Sequence, residues 1–169
     1  REAAARLRVE LVTLPELFAT YPDAWVVQTH RDPCRTMPST VSTTAMVQWL
    51  RSDRIDLERM SAVIGAVFGG APLGMVEQRR IGAVPPRFVD VHFQGLLRDP
   101  VGTLRAAYAG MGRELSAEHA ERIRRYLAEK PQGKCGQHRY SPEAWGFDSG
   151  GLRERLRPHP AHYRVTLEQ

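Results

Sequence analysis

Arg31 and Ser39 are the residues whose types and spacing most directly suggest chemistry. Arg31 follows the apolar segment Trp25–His30 in the turn Arg31-Asp32-Pro33, and Ser39 comes eight positions after Arg31. An arginine offers planar, charged donors that match a phosphate, and a serine adds a neutral donor. A helix that begins between them would direct free backbone N–H groups toward the same anion. The pattern therefore favours an anion site, with phosphate as the natural ligand.

The same turn has a second interpretation that needs no ligand. Asp32 is a residue type that caps the N-terminus of a helix, and Pro33 is suited to the first helical turn. These residues alone do not separate simple turn chemistry from anion binding.

A second basic segment, Lys130–Ser141, also has the composition of an anion site. Glycines allow backbone N–H groups to approach an anion closely, and the neighbouring side chains supply charge. The candidate binding residues are Gly133, Lys134, Gly136, His138 and Arg139. A solvated basic loop is the alternative, because runs of charge usually face water.

Composition limits the class of protein. The chain has 169 residues, 42% of them hydrophobic, which suits one ordinary domain with a core. No apolar run approaches the roughly 20 residues of a membrane-spanning helix. The net charge of +5 favours an anionic partner, but no zinc-finger spacing, RNP-like aromatic pattern or basic block indicates nucleic-acid binding. We expect a cytoplasmic, soluble protein without a membrane or nucleic-acid partner.

The cysteines and histidines do not form a metal-binding pattern. Cys34 and Cys135 are too few for a disulfide scaffold, and the six histidines contain no His-x-x-x-His pair. No metal site is therefore predicted. If both basic segments bind one phosphate, the two cysteines should lie within about 15 Å of each other, whereas a disulfide needs a Cα separation below about 7 Å.

The spacing of apolar residues and the positions of helix-breaking residues predict the helices and strands that position these residues. The predicted elements, in chain order, are a helix at 11–18, a strand at 25–30, helices at 36–50 and 56–80, a strand at 87–93, and helices opened by Asp99 and Ser116. Two strands separated by helices imply parallel pairing. Gly69-Gly70-Ala71-Pro72 predicts a break in the helix at 56–80. A phosphate loop is not predicted there, because the segment lacks the ending of such a loop and a preceding strand.

Two finer predictions concern the helix at 36–50 and its successor. The first helix should bury one face, and Ser52-Asp53 should cap the second. The residues of the predicted buried face are Met37, Val41, Thr44, Val47 and Leu50.

Five segments in one order resemble the sulfotransferase family that uses 3′-phosphoadenosine 5′-phosphosulfate (PAPS), in particular its bacterial branch. They are Tyr-Pro-Asp-Ala24, the strand with Arg31-Asp-Pro and Ser39, Phe-Val-Asp-Val-His92, Asp-Pro-Val-Gly-Thr103, and Gly-Lys-Cys-Gly-Gln-His-Arg-Tyr-Ser141. The resemblance covers roughly residues 14–157. Each motif alone is weak, but five in order are specific.

The resemblance implies roles for both basic segments. Arg31 and Ser39 would bind the 3′-phosphate of PAPS, and Gly133, Lys134, Gly136, His138 and Arg139 are candidates for the loop that closes over it. The implied fold is α/β, with a P-loop-like parallel sheet flanked by many helices, and the chain supplying its C-terminal part. The implied reaction moves a sulfuryl group from PAPS to a hydroxyl of a small-molecule acceptor, without a metal.

The chain also departs from the family pattern. The family's Gly-rich loop for the 5′-phosphosulfate and its Lys-Ser/Thr-Pro segment are not recognisable, and Arg6 and Arg8 are the only basic residues near the expected place. Because the chain begins with Arg1 rather than Met, we expect one sulfotransferase-like domain over residues 1–169 that is incomplete at its N-terminus. The alternative is a non-catalytic nucleotide-binding or scaffolding module with a degenerate fold.

His30 and His92 end the two predicted strands, where ligands of open α/β sheets gather. A structural role is favoured for both, because the sequence assigns no partner carboxylate to either. No catalytic base is therefore named. The identity of the acceptor and the formation of a homo-oligomer stay open.

Overall fold

The computed structural model of the chain describes residues 14–130 and 141–168. The helices are α1 (Leu14–Thr20), α2 (Pro33–Trp49), α3 (Leu57–Arg80), α4 (Phe93–Arg98), α5 (Pro100–Gly110), α6 (Ala117–Glu129), α7 (Ser149–Leu156) and α8 (Pro158–Tyr163), with a short 3-10 helix at Glu143–Trp145. The strands are β1 (Val26–His30) and β2 (Phe88–His92). The helix-rich α/β fold that the sequence predicts is confirmed.

The described residues fall into two compact units. The first contains residues 14–24, 31–86 and 141–168, and the second contains residues 25–30 and 87–130. The chain passes from the second unit into the first between His30 and Arg31.

The second unit is built on the parallel pair β1 and β2. The register places Val26 beside Phe88 and His30 beside His92, which confirms the predicted parallel pairing. Phe93 begins α4 rather than ending the strand, so the predicted strand at 87–93 was too long. Asp99 accepts a hydrogen bond from the backbone N–H of Gly102, as expected of the predicted cap of α5.

A small core holds α5 and α6 together in this second unit. Ser116 caps α6 through the backbone N–H of His119, as predicted. The buried residues of this core are Val101, Leu115 and Ala120, with Leu104, Tyr108 and Ile123 packed against them.

The first unit has a larger core, to which α2, α3 and α7 all contribute. Its buried residues are Cys34, Met37, Val41, Ala45, Met60, Ile64, Leu152 and Leu156. The predicted face of α2 was correct at Met37 and Val41 and wrong at its C-terminal end, where Val47 and Leu50 are exposed. The buried face of α2 ends at Ala45, and residues 46–50 are all exposed.

Helix α3 is continuous, so the predicted break at Gly69-Gly70-Ala71-Pro72 is wrong. Tertiary packing explains Gly69, whereas a Cβ atom on Gly70 would have no neighbour within 4 Å. A Cβ atom on Gly69 would lie 3.0 Å from an Nη atom of Arg155, and one on Gly65 would lie 3.2 Å from the Phe147 ring. The cap of α3 is Asp56 rather than Ser52-Asp53, because the Asp56 carboxylate accepts a hydrogen bond from the N–H of Arg59.

The length of α3 and its mean hydropathy, 1.4 in its most apolar window of 18 residues, would also suit a membrane-spanning helix. The core helix of a soluble protein can have both properties. Met60 and Ile64 of α3 lie in the core of the first unit, which accounts for part of this apolar character.

We expect Val41→Ala to lower the free energy of unfolding by about 2 kcal/mol, because Val41 is fully buried and two methyl groups are lost from the core. Val47→Ala is the matched control on the same helix, and it should cost less than about 0.5 kcal/mol since Val47 is exposed. Urea unfolding measures both. Equal losses would contradict the assigned core face of α2.

Candidate functional site

Arg31 lies in the first unit, directly before α2, and it already binds a carboxylate. Its Nε donates to Oε1 of Glu168 over 2.8 Å, and its Nη2 donates to Oε2 over 3.0 Å. This two-point geometry is the one in which arginine also binds phosphate. The hydrogen bond from Arg31 lowers the pKa of Glu168, so the carboxylate is ionised at neutral pH.

Asp32 is fully buried and joins two parts of the first unit. Its Oδ1 accepts from the backbone N–H of Cys34 over 2.9 Å, which caps α2. Its Oδ2 accepts from the backbone N–H of Glu168 over 2.8 Å. One carboxylate thus fixes the start of α2 to the segment that carries Glu168.

The N-terminus of α2 has no backbone donor left for a ligand in its first turn. Pro33 has no N–H, and the N–H of Cys34 donates to the Asp32 side chain. The N–H groups of Arg35 and Thr36 both donate to the carbonyl of Asp32, over 2.9 and 3.1 Å. The cap interpretation of the turn is therefore confirmed, and the expectation of free N–H groups aimed at an anion is wrong.

Ser39 lies in the second turn of α2 and is half-buried. Arg35 precedes it by four residues and therefore shares its helix face. The charge of Arg35 also contributes to the lowered pKa of Glu168, which places this arginine near the same carboxylate as Arg31. Arg35 was not among the predicted site residues, although its spacing to Ser39 could have indicated it.

Arg153 also contacts Glu168, and it interacts with the thiol of Cys34. Nη2 of Arg153 donates to the backbone carbonyl of Glu168 over 3.3 Å. Burial raises the pKa of the Cys34 thiol, while a hydrogen bond with Arg153 acts in the opposite direction. The net upward shift keeps the thiol protonated at neutral pH, so it is not an activated nucleophile.

The other predicted anion-binding residues, Gly133, Lys134, Gly136, His138 and Arg139, lie outside the described residues. The same is true of Cys135, so its predicted distance from Cys34 stays a prediction.

His30 and His92 end the two strands of the second unit, where His30 is buried and His92 is half-buried. Nε2 of His30 lies 2.8 Å from Oδ1 of Asp90, at hydrogen-bond distance. The centroids of the His30 and His92 rings lie 5.6 Å apart. Asp90 was not predicted as a partner of His30. The register explains the contact, because Asp90 pairs with Gln28, two residues before His30 and therefore on the same face of the sheet.

This arrangement favours a structural role for His30. Its side chain is wholly buried, whereas the Asp90 side chain is 32% exposed, so no atom of His30 is presented to an acceptor in solvent. Within residues 14–130 and 141–168, no group of three His, Cys, Asp or Glu side chains could hold a metal ion.

We expect Asp32→Ala to lower the free energy of unfolding by about 3 kcal/mol, because it removes both a helix cap and the buried partner of the Glu168 N–H. Asp56→Ala removes only the exposed cap of α3 and should cost about 1 kcal/mol. Urea unfolding of the two variants tests this. Equal losses would show that the bond to Glu168 contributes nothing.

The Arg31–Glu168 pair should also give stability a defined pH dependence. A lowered pKa in the folded state means that the pair stabilises the protein above the unfolded pKa of about 4.3. This stability is lost as the pH falls through the folded pKa. We therefore expect Glu168→Gln to be less stable than wild type at pH 7, and the difference in chemical unfolding to shrink steadily below about pH 4.3. A difference that is constant from pH 7 to pH 3 would contradict an ionised pair.

Comparison with known proteins gives a family and a fold. Residues 7–117 match the profile described as the Sulfotransferase family. The crystal structure of the sulfotransferase STF9 from Mycobacterium avium matches with a TM-score of 0.75 and 22% sequence identity, over 94% of this chain and 41% of the STF9 chain. The chain therefore spans less than half the length of this relative. A search of the curated proteins gives no match.

The family match covers well over half of the chain and includes residues of both compact units, among them the turn that carries Arg31. The structural match shows the fold independently. The chain belongs to the sulfotransferase family.

Proposed function

We propose that this chain supplies the 3′-phosphate-binding part of a sulfotransferase that uses PAPS as its donor, within one sulfotransferase-like domain. Arg31 is the principal contact, Ser39 adds a hydroxyl, and the segment with Gly133, Lys134, Gly136, His138 and Arg139 supplies further donors. The observation that supports the proposal is the pair of hydrogen bonds that Arg31 donates to the Glu168 carboxylate. A guanidinium that binds a carboxylate at two points has the geometry needed to bind a phosphate.

When PAPS is bound, it supplies the sulfuryl group: its S–O bond to the phosphate breaks as a new S–O bond forms to the acceptor hydroxyl, whose proton passes to a base. Arg31 and Ser39 would act at the 3′-phosphate, away from the sulfuryl group. Arg31 would neutralise part of the 3′-phosphate charge and fix the nucleotide in one place. We propose a small molecule with a hydroxyl as the acceptor and assign no base.

The test is calorimetric titration of adenosine 3′,5′-bisphosphate (PAP) into the chain. Arg31→Ala should weaken binding by about 10- to 100-fold, because a charged two-point contact is worth about 1.5–3 kcal/mol. Adenosine 5′-monophosphate, which lacks the 3′-phosphate, should bind both proteins equally weakly.

Arg51→Ala is the control variant, since Arg51 is an exposed arginine that follows α2. It removes the same charge and should leave the affinity for PAP unchanged. If PAP binds no better than adenosine 5′-monophosphate, or if Arg31→Ala has no effect, the proposed 3′-phosphate site is wrong. Binding of PAP by the longer protein without sulfuryl transfer would instead support the alternative of a non-catalytic module.

A further inference from the structure

Glu168 lies in a segment without regular structure, yet its side chain, N–H and carbonyl are all hydrogen-bonded. Its carboxylate accepts two hydrogen bonds from Arg31. Its N–H donates to Asp32, and its carbonyl accepts from Arg153. The position of Glu168 is thus set by its backbone, independently of the bond to Arg31.

The bond to Glu168 uses one particular edge of the guanidinium. Nε and Nη2 of Arg31 both point to the carboxylate. A guanidinium is planar and rigid, so fixing this edge also fixes the direction of the other edge, formed by Nη1 and Nη2. An arginine uses a single edge to bind a phosphate at two points.

Displacement of the Glu168 backbone by a ligand would disturb a buried group. Asp32 is fully buried, and one of its carboxylate oxygens is bonded to the N–H of Glu168. Withdrawing this segment would remove a hydrogen bond from a buried charge, which is costly. The contacts therefore favour a Glu168 backbone that stays in place while Arg31 binds its ligand, which keeps the carboxylate within reach of the Nε edge of Arg31.

We propose that Glu168 is a positioning residue that orients Arg31 toward the 3′-phosphate of the nucleotide. The inference rests on the proposed function, since it concerns the same arginine and the same phosphate. Glu168 removes the rotamer freedom of Arg31 before binding, so that less side-chain entropy is lost when the phosphate arrives.

Glu168→Asp is the decisive variant because it keeps the negative charge and shortens the side chain by one methylene. The carboxylate can then no longer reach both nitrogens of Arg31 in the same geometry. We expect the affinity for PAP to fall about tenfold, as for the loss of one pre-ordered side chain. The affinity for adenosine 5′-monophosphate should not change.

Glu77→Asp is the matched control. Glu77 forms the same two-point bond with Nε and Nη2 of Arg80, over 2.8 and 2.7 Å, but both residues are exposed on the last turns of α3. This variant should bind PAP as wild type does. Both variants keep their charge and their backbone bonds, and their unfolding midpoints are measured to show that they are folded.

A second readout follows Arg31 itself. The NMR signal of the Arg31 Nε–H should keep its hydrogen-bonded shift when the protein is saturated with PAP, because the Nε edge stays on Glu168. In Glu168→Asp, the signal should already be changed without nucleotide.

Each contrary result has a distinct meaning. Tighter PAP binding by Glu168→Asp would overturn the proposal and identify Glu168 as an internal competitor of the phosphate. Unchanged binding would also overturn it and leave the pair a purely structural contact. If wild type and Arg31→Ala bind PAP equally, the proposed function itself fails, and the positioning role falls with it.

Discussion

The carboxylate of Asp32 is the constraint on which the candidate site depends. It is fully buried, yet both of its oxygens are bonded to backbone N–H groups. A buried charge is tolerable only with such partners, so Asp32 requires both the start of α2 and the segment of Glu168 to be in place. Arg31, its neighbour in the chain, takes its orientation from the same assembly. The stability of the first unit and the orientation of the Arg31 guanidinium therefore have a common source.

The turn Arg31-Asp32-Pro33 can be both a helix cap and part of an anion site, but different residues serve each role. Asp32 and Pro33 form the cap and first turn of α2, and they use or eliminate the early backbone donors of the helix. An anion beside this turn thus gains little from backbone N–H groups. Its binding must come from side chains, which makes the direction of the Arg31 guanidinium more important than a helix N-terminus would have been.

Local patterns predicted the local structure well. Asp99 and Ser116 cap their helices as their residue types indicate, and the two apolar strands pair in parallel as the helices between them require. The predictions that were wrong or missing concern tertiary packing. Gly69 packs beside Arg155, so a pattern that usually breaks a helix instead allows a close approach. Glu168 lies 137 residues from Arg31 in sequence, and no local pattern predicts that contact.

The charges around Glu168 explain why one arginine is not a complete phosphate site. Arg31, Arg35 and Arg153 act on Glu168, while Asp32 and Glu168 itself oppose them. These five groups leave a single net positive charge, but a 3′-phosphate carries nearly two negative charges at neutral pH. Compensation of the second charge requires a further cation. The sequence offers Lys134 and Arg139 beside Gly133 and Gly136, so the proposal that both basic segments bind one phosphate would supply this missing charge.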